Sequence, residues 1–271
     1  MKITMHESLD KIDFPETVYK YRCWDNPLHQ SIIKQRKVFM AAPSSFEDPL
    51  DCKFPVRWDL LTDEDIYNHY FGDSINRHPE WSRQQHRKFA RDWSKKSAVR
   101  QPEIVADHQQ KTFRDYDEHV GILSLTANPS LMKMWEEYSC QHEGFVVGFN
   151  SRIMFDYLGG GGQVQYVDKI PIIYPSPKHN FDEQRNLQIF HKLSQWSFEE
   201  EYRTTRFGEL PLTIRDRTIE LPIEAYKEII IGDKMPAHFI AEILDLISSE
   251  MSHVEVMKAK IIDDEIVIDR L

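Results

Sequence analysis

The 271-residue chain predicts an α+β fold with mixed or antiparallel central sheets and flanking helices. Short runs rich in β-branched and aromatic residues recur from Thr17 to the end of the chain, and helical patterns stand between them. With 41% hydrophobic and 12% aromatic residues and a mean hydropathy of -0.56, the chain has enough apolar mass for a core under a wet surface. We read 1–271 as one domain carrying a basic helical insertion at 62–118.

Residues 17–24 alternate β-branched or aromatic with polar residues and predict a strand. Asn26-Pro27 opens a helix, proline being tolerated where its missing N–H has no partner; Leu28, Ile32 and Ile33 form its apolar stripe. A strand at 37–42 leads into a proline-, serine- and aspartate-rich turn at 43–51, which Phe46 pins to the core. From 62 to 118 the pattern turns helical and charged. Thr62 to Asp65 mark a helix start, and Pro79 begins a longer helix on which Trp81, Gln85, Phe89 and Trp93 share one face.

Strand character returns at 120–126. A helix follows to Tyr138, capped by Asn128 with Pro129 in its first turn. Residues 144–149 predict a buried strand, and Asn150 or Ser151 caps a helix through Leu158. The glycine run 159–162 ends that helix; it lacks the flanking residues of a P-loop or a dinucleotide fingerprint. Strands at 163–167 and 170–174, a helix over 181–196 and an acidic strand come next. A strand at 226–232, a helix over 236–248 and a hairpin of 253–260 with 265–270 close the chain, with no internal repeat.

The N-terminus has no apolar leader, and no stretch is long and apolar enough to cross a bilayer, so neither secretion nor membrane insertion is expected. Three widely spaced cysteines, Cys23, Cys52 and Cys140, argue against a disulfide framework and a paired-thiolate zinc site, and point to a reducing cytoplasm. The net charge of -10 opposes nucleic acid over most of the surface. Segment 77–114 is the exception, since its basic residues outnumber its acids.

The run Trp196-Ser-Phe198-Glu199-Glu-Glu201-Tyr202-Arg203 concentrates chemistry. On a strand, alternation puts Glu199 and Glu201 on one face. That face is either a solvated edge with Arg203 as a local partner, or a site that uses carboxylates as bases or to stabilise a cation. No zinc-protease, nucleophile-elbow or cysteine-pair motif is present, and no metal site is expected.

Five blocks remain: Tyr19 to Arg22; Phe39 to Asp51; Ser124 ahead of Met134 to Tyr138 and Gly144; Lys192 to Arg203; and Ile229 to Gly232. In order and content they resemble the DUF2971 family of bacterial and phage proteins of unknown function, with Phe198 and Leu50 departing from the residues more usual there. The arrangement is also similar to that of ADP-ribosyltransferases, which place a basic residue on an early strand, a Ser-x-Thr strand in the middle and a late Glu-x-Glu strand.

That resemblance implies NAD as substrate, with Glu201 as catalytic carboxylate and Glu199 positioning the acceptor nucleophile. Arg22 would clamp phosphate or ribose, Ser124 would orient the central strand, and Tyr21, Trp135 and Tyr138 would stack on rings. Ser44 and Asp48 would shape the cleft. The basic segment would present a nucleic-acid or protein acceptor, and the family context suggests a toxin or phage-defence effector. Two alternatives stay open. One is a nuclease in which Asp48, Asp51, Glu199 and Glu201 hold magnesium with Lys192 or Lys20 assisting; the other is a non-catalytic binding module.

Overall fold

A computed structural model describes residues 14–271. The first strand, β1 (Thr17–Arg22), leads to α1 (Pro27–Lys34), where the Asn26 side chain accepts from the Leu28 amide and Pro27 fills the first turn. Ile32 and Ile33 are buried, whereas Leu28 is 80% exposed. The apolar stripe is therefore shorter than its spacing predicts, because the first turn projects past the surface that the rest of the helix covers. Strand β2 (Lys37–Phe39) is likewise cut short, and the chain turns through Pro43–Ser45 to Phe46, which packs beside Cys52, Val120 and Ile122.

The charged stretch forms α2 (Asp63–Arg77), α3 (Arg83–Lys95) and α4 (Pro102–His119). Thr62 with Asp65 and Ser82 with Gln85 make reciprocal capping boxes, each satisfying two end donors of a helix. The Trp81–Phe89 and Phe89–Trp93 ring centroids are 5.8 Å apart. Arg83, Arg87, Lys88, Arg91, Lys95 and Lys96 are all exposed.

After β3 (Val120–Thr126) comes α5 (Met132–Tyr138). Asn128 does not cap this helix: its side chain accepts from the Ser130 amide and closes a turn before it. Strand β4 (Phe145–Asn150) runs into α6 (Ser151–Leu158), capped by Asn150 and ended by left-handed Gly159, φ 84°. Then follow β5 (Gly162–Gln163) and β6 (Gln165–Val167). The strand expected at 170–174 reduces to one bridge, Val56 with Ile173, since Pro171 and Pro175 remove ladder donors.

Helix α7 (Phe181–Ile189) stops earlier than its pattern predicts, because the next residues are recruited as β7 (His191–Leu193), parallel to β6. A 3₁₀ turn over Ser194–Glu199 precedes β8 (Glu201–Phe207). The chain finishes with α8 (Ile214–Arg217), β9 (Thr218–Glu220), β10 (Tyr226–Ile231), α9 (Ala237–Glu250), β11 (Glu255–Ile262) and β12 (Glu265–Arg270).

Among the described residues, eight strands form one mixed sheet in the order β12-β11-β10-β4-β1-β3-β8-β5, in which β10 and β11 run parallel and the other pairs antiparallel. Alternation divides its central strands between two cores. Phe145, Val147 and Phe149 join Val18, Ile229 and Ile231 under α1, α6 and α9, while Val146 joins Tyr21, Ile230 and Trp135 of α5 on the other face. None of the described helices is long and apolar enough to cross a membrane.

The cysteine expectation is corrected. Cys23 and Cys140 are disulfide-bonded, with Cα atoms 5.5 Å apart, and only Cys52 is free. Sequence spacing conceals this pairing because antiparallel β1 and β4 align Arg22 with Phe145, which brings together cysteines 117 positions apart.

The two faces of α1 make unequal demands. Ile33→Ala should cost about 2–5 kcal/mol through a buried cavity, and Leu28→Ala less than about 0.5 kcal/mol. Chemical denaturation of both variants checks the ranking; equal losses would contradict the packing described.

Candidate active site

Strands β1, β3 and β8 lie side by side, with Tyr19 opposite Thr126, Thr126 opposite Glu201, and Ser124 opposite Arg203. Cross-strand partners share a face, so one row carries Tyr19, Thr126 and Glu201. Pairing of β1 with β3 is confined to Tyr19 and Thr126, and where the strands part a cavity of about 270 Å³ opens. Tyr19 to Arg22 and Ile122 to Thr126 line two of its sides. Ser45 to Asp48, Asp51, Tyr138, Lys192, Trp196, Glu199 and Glu201 also border it. Across the gap, Lys20 Nζ donates to the Ser124 carbonyl at 2.6 Å, standing in for a backbone donor.

Beside the cavity lies a buried ionic network whose hub is Arg203, with 0% of its surface exposed. Its guanidinium donates to both oxygens of Glu201, at 2.7 and 2.8 Å, and to both oxygens of Asp51, at 2.8 and 2.6 Å. The Ile189 carbonyl accepts another bond at 2.7 Å. Two bidentate carboxylates suit the planar fork of arginine. Lys192 Nζ sits 2.5 Å from Glu199, 3.4 Å from Asp51 and 3.5 Å from Glu201. The Tyr138 hydroxyl donates to the other Glu199 oxygen at 3.0 Å.

These surroundings separate the two glutamates. Burial alone would push Glu201 up, but the Arg203 and Lys192 charges outweigh it and hold the carboxyl down at about 2. Glu199 moves the other way: burial and the Glu201 charge raise it against the pull of Lys192. One glutamate is therefore a fixed anion, and the other is drawn toward proton exchange.

The opposite wall has weaker compensation, limited to the longer-range pull of Glu201 and Glu199 on Lys20. Among the described residues no carboxylate lies within ion-pair distance of Lys20 or Arg22. Burial, then the Arg22 charge, pulls the Lys20 amine well below the ordinary lysine range, and burial draws Arg22 to about 10. Burial and the charges of Arg22 and Lys20 also lower neighbouring His29 to about 4. An anion entering here would supply the missing counter-charge.

The cavity brings together Tyr21, Arg22, Asp48, Ser124, Tyr138, Glu199 and Glu201 of the residues named from sequence. It leaves out Ser44 and Trp135. Ser44 is exposed, its amide held by Asp117 at 2.7 Å, and Ser45 takes its place on the wall. Trp135 is fully buried behind Tyr21, edge-on at 5.4 Å, with its indole N–H on the Pro129 carbonyl. It braces the wall and cannot stack on a ligand.

The acidic run is corrected too, since only Glu201 is on a strand. Glu199 ends the 3₁₀ turn, and left-handed Glu200, φ 45°, points to solvent while its neighbours are buried. The solvated-edge reading fails, and with it the reading of Arg203 as a surface partner. Arg203 was detectable in principle: it stands two residues from Glu201, so a strand puts the opposite charges on one face. Trp196, within 4.8 Å of Lys192, carried no comparable signal.

The magnesium arrangement does not fit this geometry. Both oxygens of Asp51 and of Glu201 already accept from Arg203, and a divalent cation bound between them would meet the guanidinium.

Two outcomes follow from the charges. Lys20→Met, which removes a buried amine without an acid partner, should raise thermal stability at neutral pH by about 1 kcal/mol or more; a loss would mean that the Ser124 bond dominates. Glu201→Gln should cost about 3–5 kcal/mol at neutral pH by exposing Arg203 to an unbalanced charge. Because the folded-state Glu201 carboxyl is depressed, its stabilisation is present above the unfolded value and lost as pH falls through about 2. The gap between wild type and Glu201→Gln should accordingly narrow over that acid range in denaturant titrations.

No protein-family model, curated protein or solved structure matches this chain, so the DUF2971 likeness rests on the five sequence blocks alone.

Proposed function

We propose that the cavity is an NAD site and that the chain acts as an ADP-ribosyltransferase or NAD glycohydrolase built on an ADP-ribosyltransferase-like fold. One observation carries this reading: two basic groups without acid partners at ion-pair distance among the described residues, Lys20 and Arg22, share a cavity with two carboxylates of unequal proton affinity. Arg22 and Glu201 border the same cavity, although strand alternation puts the Arg22 side chain with Phe145 on the face under α1 and Glu201 on the face of Tyr19 and Thr126.

In this mechanism the pyrophosphate of NAD lies against Arg22 and Lys20, and the nicotinamide ribose against Glu201. As the glycosidic C–N bond breaks, its electron pair leaves with nicotinamide and positive charge develops on the ribose. Glu201, held anionic by Arg203, stabilises that charge without reorganising. A macromolecular nucleophile or water then attacks the anomeric carbon and loses its proton to Glu199, whose raised proton affinity suits a base. Tyr138 and Trp196 offer ring faces, and among the described residues the Trp196 indole N–H is buried without an acceptor.

At about 270 Å³ the cavity is at the small end for ligand sites. It suits nicotinamide with its ribose, leaving the adenosine end at the mouth. The exposed basic face of α3 would present a nucleic-acid or protein acceptor, its electrostatic pull weakening with salt. With the DUF2971 likeness, this favours an effector of toxin or phage-defence type.

Nicotinamide release by wild type and Glu201→Gln tests the reading. Turnover should fall about a hundredfold or more while KM changes little, as for loss of a preorganised charge. A thermal melt confirms that the variant is folded at the assay temperature. Equal rates, or wild-type activity abolished by EDTA, would overturn the proposal.

A further inference from the structure

We infer that the Cys23–Cys140 disulfide is a thiol-exchange site that holds the two walls of the cavity in register, so that dithiol reductants loosen the site. Its placement carries the inference. Cys23 directly follows Arg22 at the end of β1, and Cys140 lies two residues beyond Tyr138, whose hydroxyl holds Glu199. The Ser139 hydroxyl between them donates to the Arg22 carbonyl at 3.4 Å. One covalent bond thus spans the basic wall and the tyrosine that orients the base.

A second observation is independent of the sulfur atoms. Cys140, Gln141 and His142 are three consecutive non-glycine residues with positive φ, at 47°, 52° and 72°. Each is disfavoured for an L-residue and persists only where surrounding structure imposes it. The His142 amide on the Trp135 carbonyl and the Gly144 amide on the Ser139 carbonyl help, but the disulfide is the one covalent restraint. Both cysteines are partly exposed, within reach of a small thiol.

The exchange balances without a further reactant. A thiolate of the dithiol bonds to one cysteine sulfur, and the S–S bond breaks with its electron pair on the other. The second thiolate of the reductant then displaces the first cysteine, so two electrons and two protons pass to Cys23 and Cys140 while the dithiol becomes a disulfide. Once freed, the left-handed turn relaxes, and the Tyr138–Glu199 bond weakens with it.

This inference rests on the proposed site but is tested without NAD. Wild-type protein is compared before and after dithiothreitol by amide hydrogen exchange, with cysteines counted by alkylation under denaturing conditions. Alkylation should label Cys52 alone before reduction and all three cysteines after it. Protection at Tyr138 to Gly144 and at Lys20 to Arg22 should fall at least tenfold on reduction, with that of Ile229 to Ile231 unchanged. Equal protection in both states, or three labelled cysteines in protein never reduced, would overturn it, whatever the outcome of the nicotinamide assay.

Discussion

Arg203 donates to all four carboxylate oxygens of Asp51 and Glu201 with no access to water, and the rest of the site is arranged around that constraint. A guanidinium removed from solvent costs several kcal/mol, on the order of what its partners return. It is therefore tolerated only if every donor is matched. Matching it requires the turn that carries Asp51 to fold onto β8, the Ile189 carbonyl to end α7 at the right depth, and Glu201 to open its strand facing the hub. The same match keeps Glu201 ionised. A structural necessity and the fixed charge of Glu201 thus come from one set of hydrogen bonds.

The asymmetry of the two walls follows from this hub. Asp51, Glu199 and Glu201 face Lys192 and Arg203 at short range, three acids held by two bases. Among the described residues Lys20 and Arg22 have no acid partner at ion-pair distance, and only the more distant Glu201 and Glu199 charges pull on Lys20 across the gap between β1 and β3. Burying basic groups without acids lowers stability, and a fold that retains them in a cavity wall is readily explained by an anionic ligand that completes the set. The braces behind that wall fit the same reading: Trp135 backs Tyr21, and a Cβ on Gly144 would collide with the Arg22 carbonyl.

Much of this was legible in the sequence where local chemistry decides the outcome. Alternating β-branched and aromatic residues located β1, β3, β4 and β10, and Asn26, Thr62 and Asn150 act as the helix caps their side chains suggest. The order of the five blocks anticipated that Arg22, Asp48, Ser124, Tyr138, Glu199 and Glu201 would meet. What escaped depends on contacts distant in the chain. The Cys23–Cys140 bond needs the β1–β4 register, the early end of α7 needs β6 as a partner, and the burial of Arg203 needs Asp51 from 152 residues away. Trp135 and Ser44 were misplaced because composition cannot say which side of a wall a residue occupies.

The most direct measurement is a crystal structure of the protein soaked with NAD. The account predicts the pyrophosphate within hydrogen-bond distance of Arg22 or Lys20 and the nicotinamide ribose against Glu201, with Arg203 still holding that carboxylate. NAD absent from the cavity, or seated with its ribose away from Glu201 and its phosphates away from both basic groups, would contradict it.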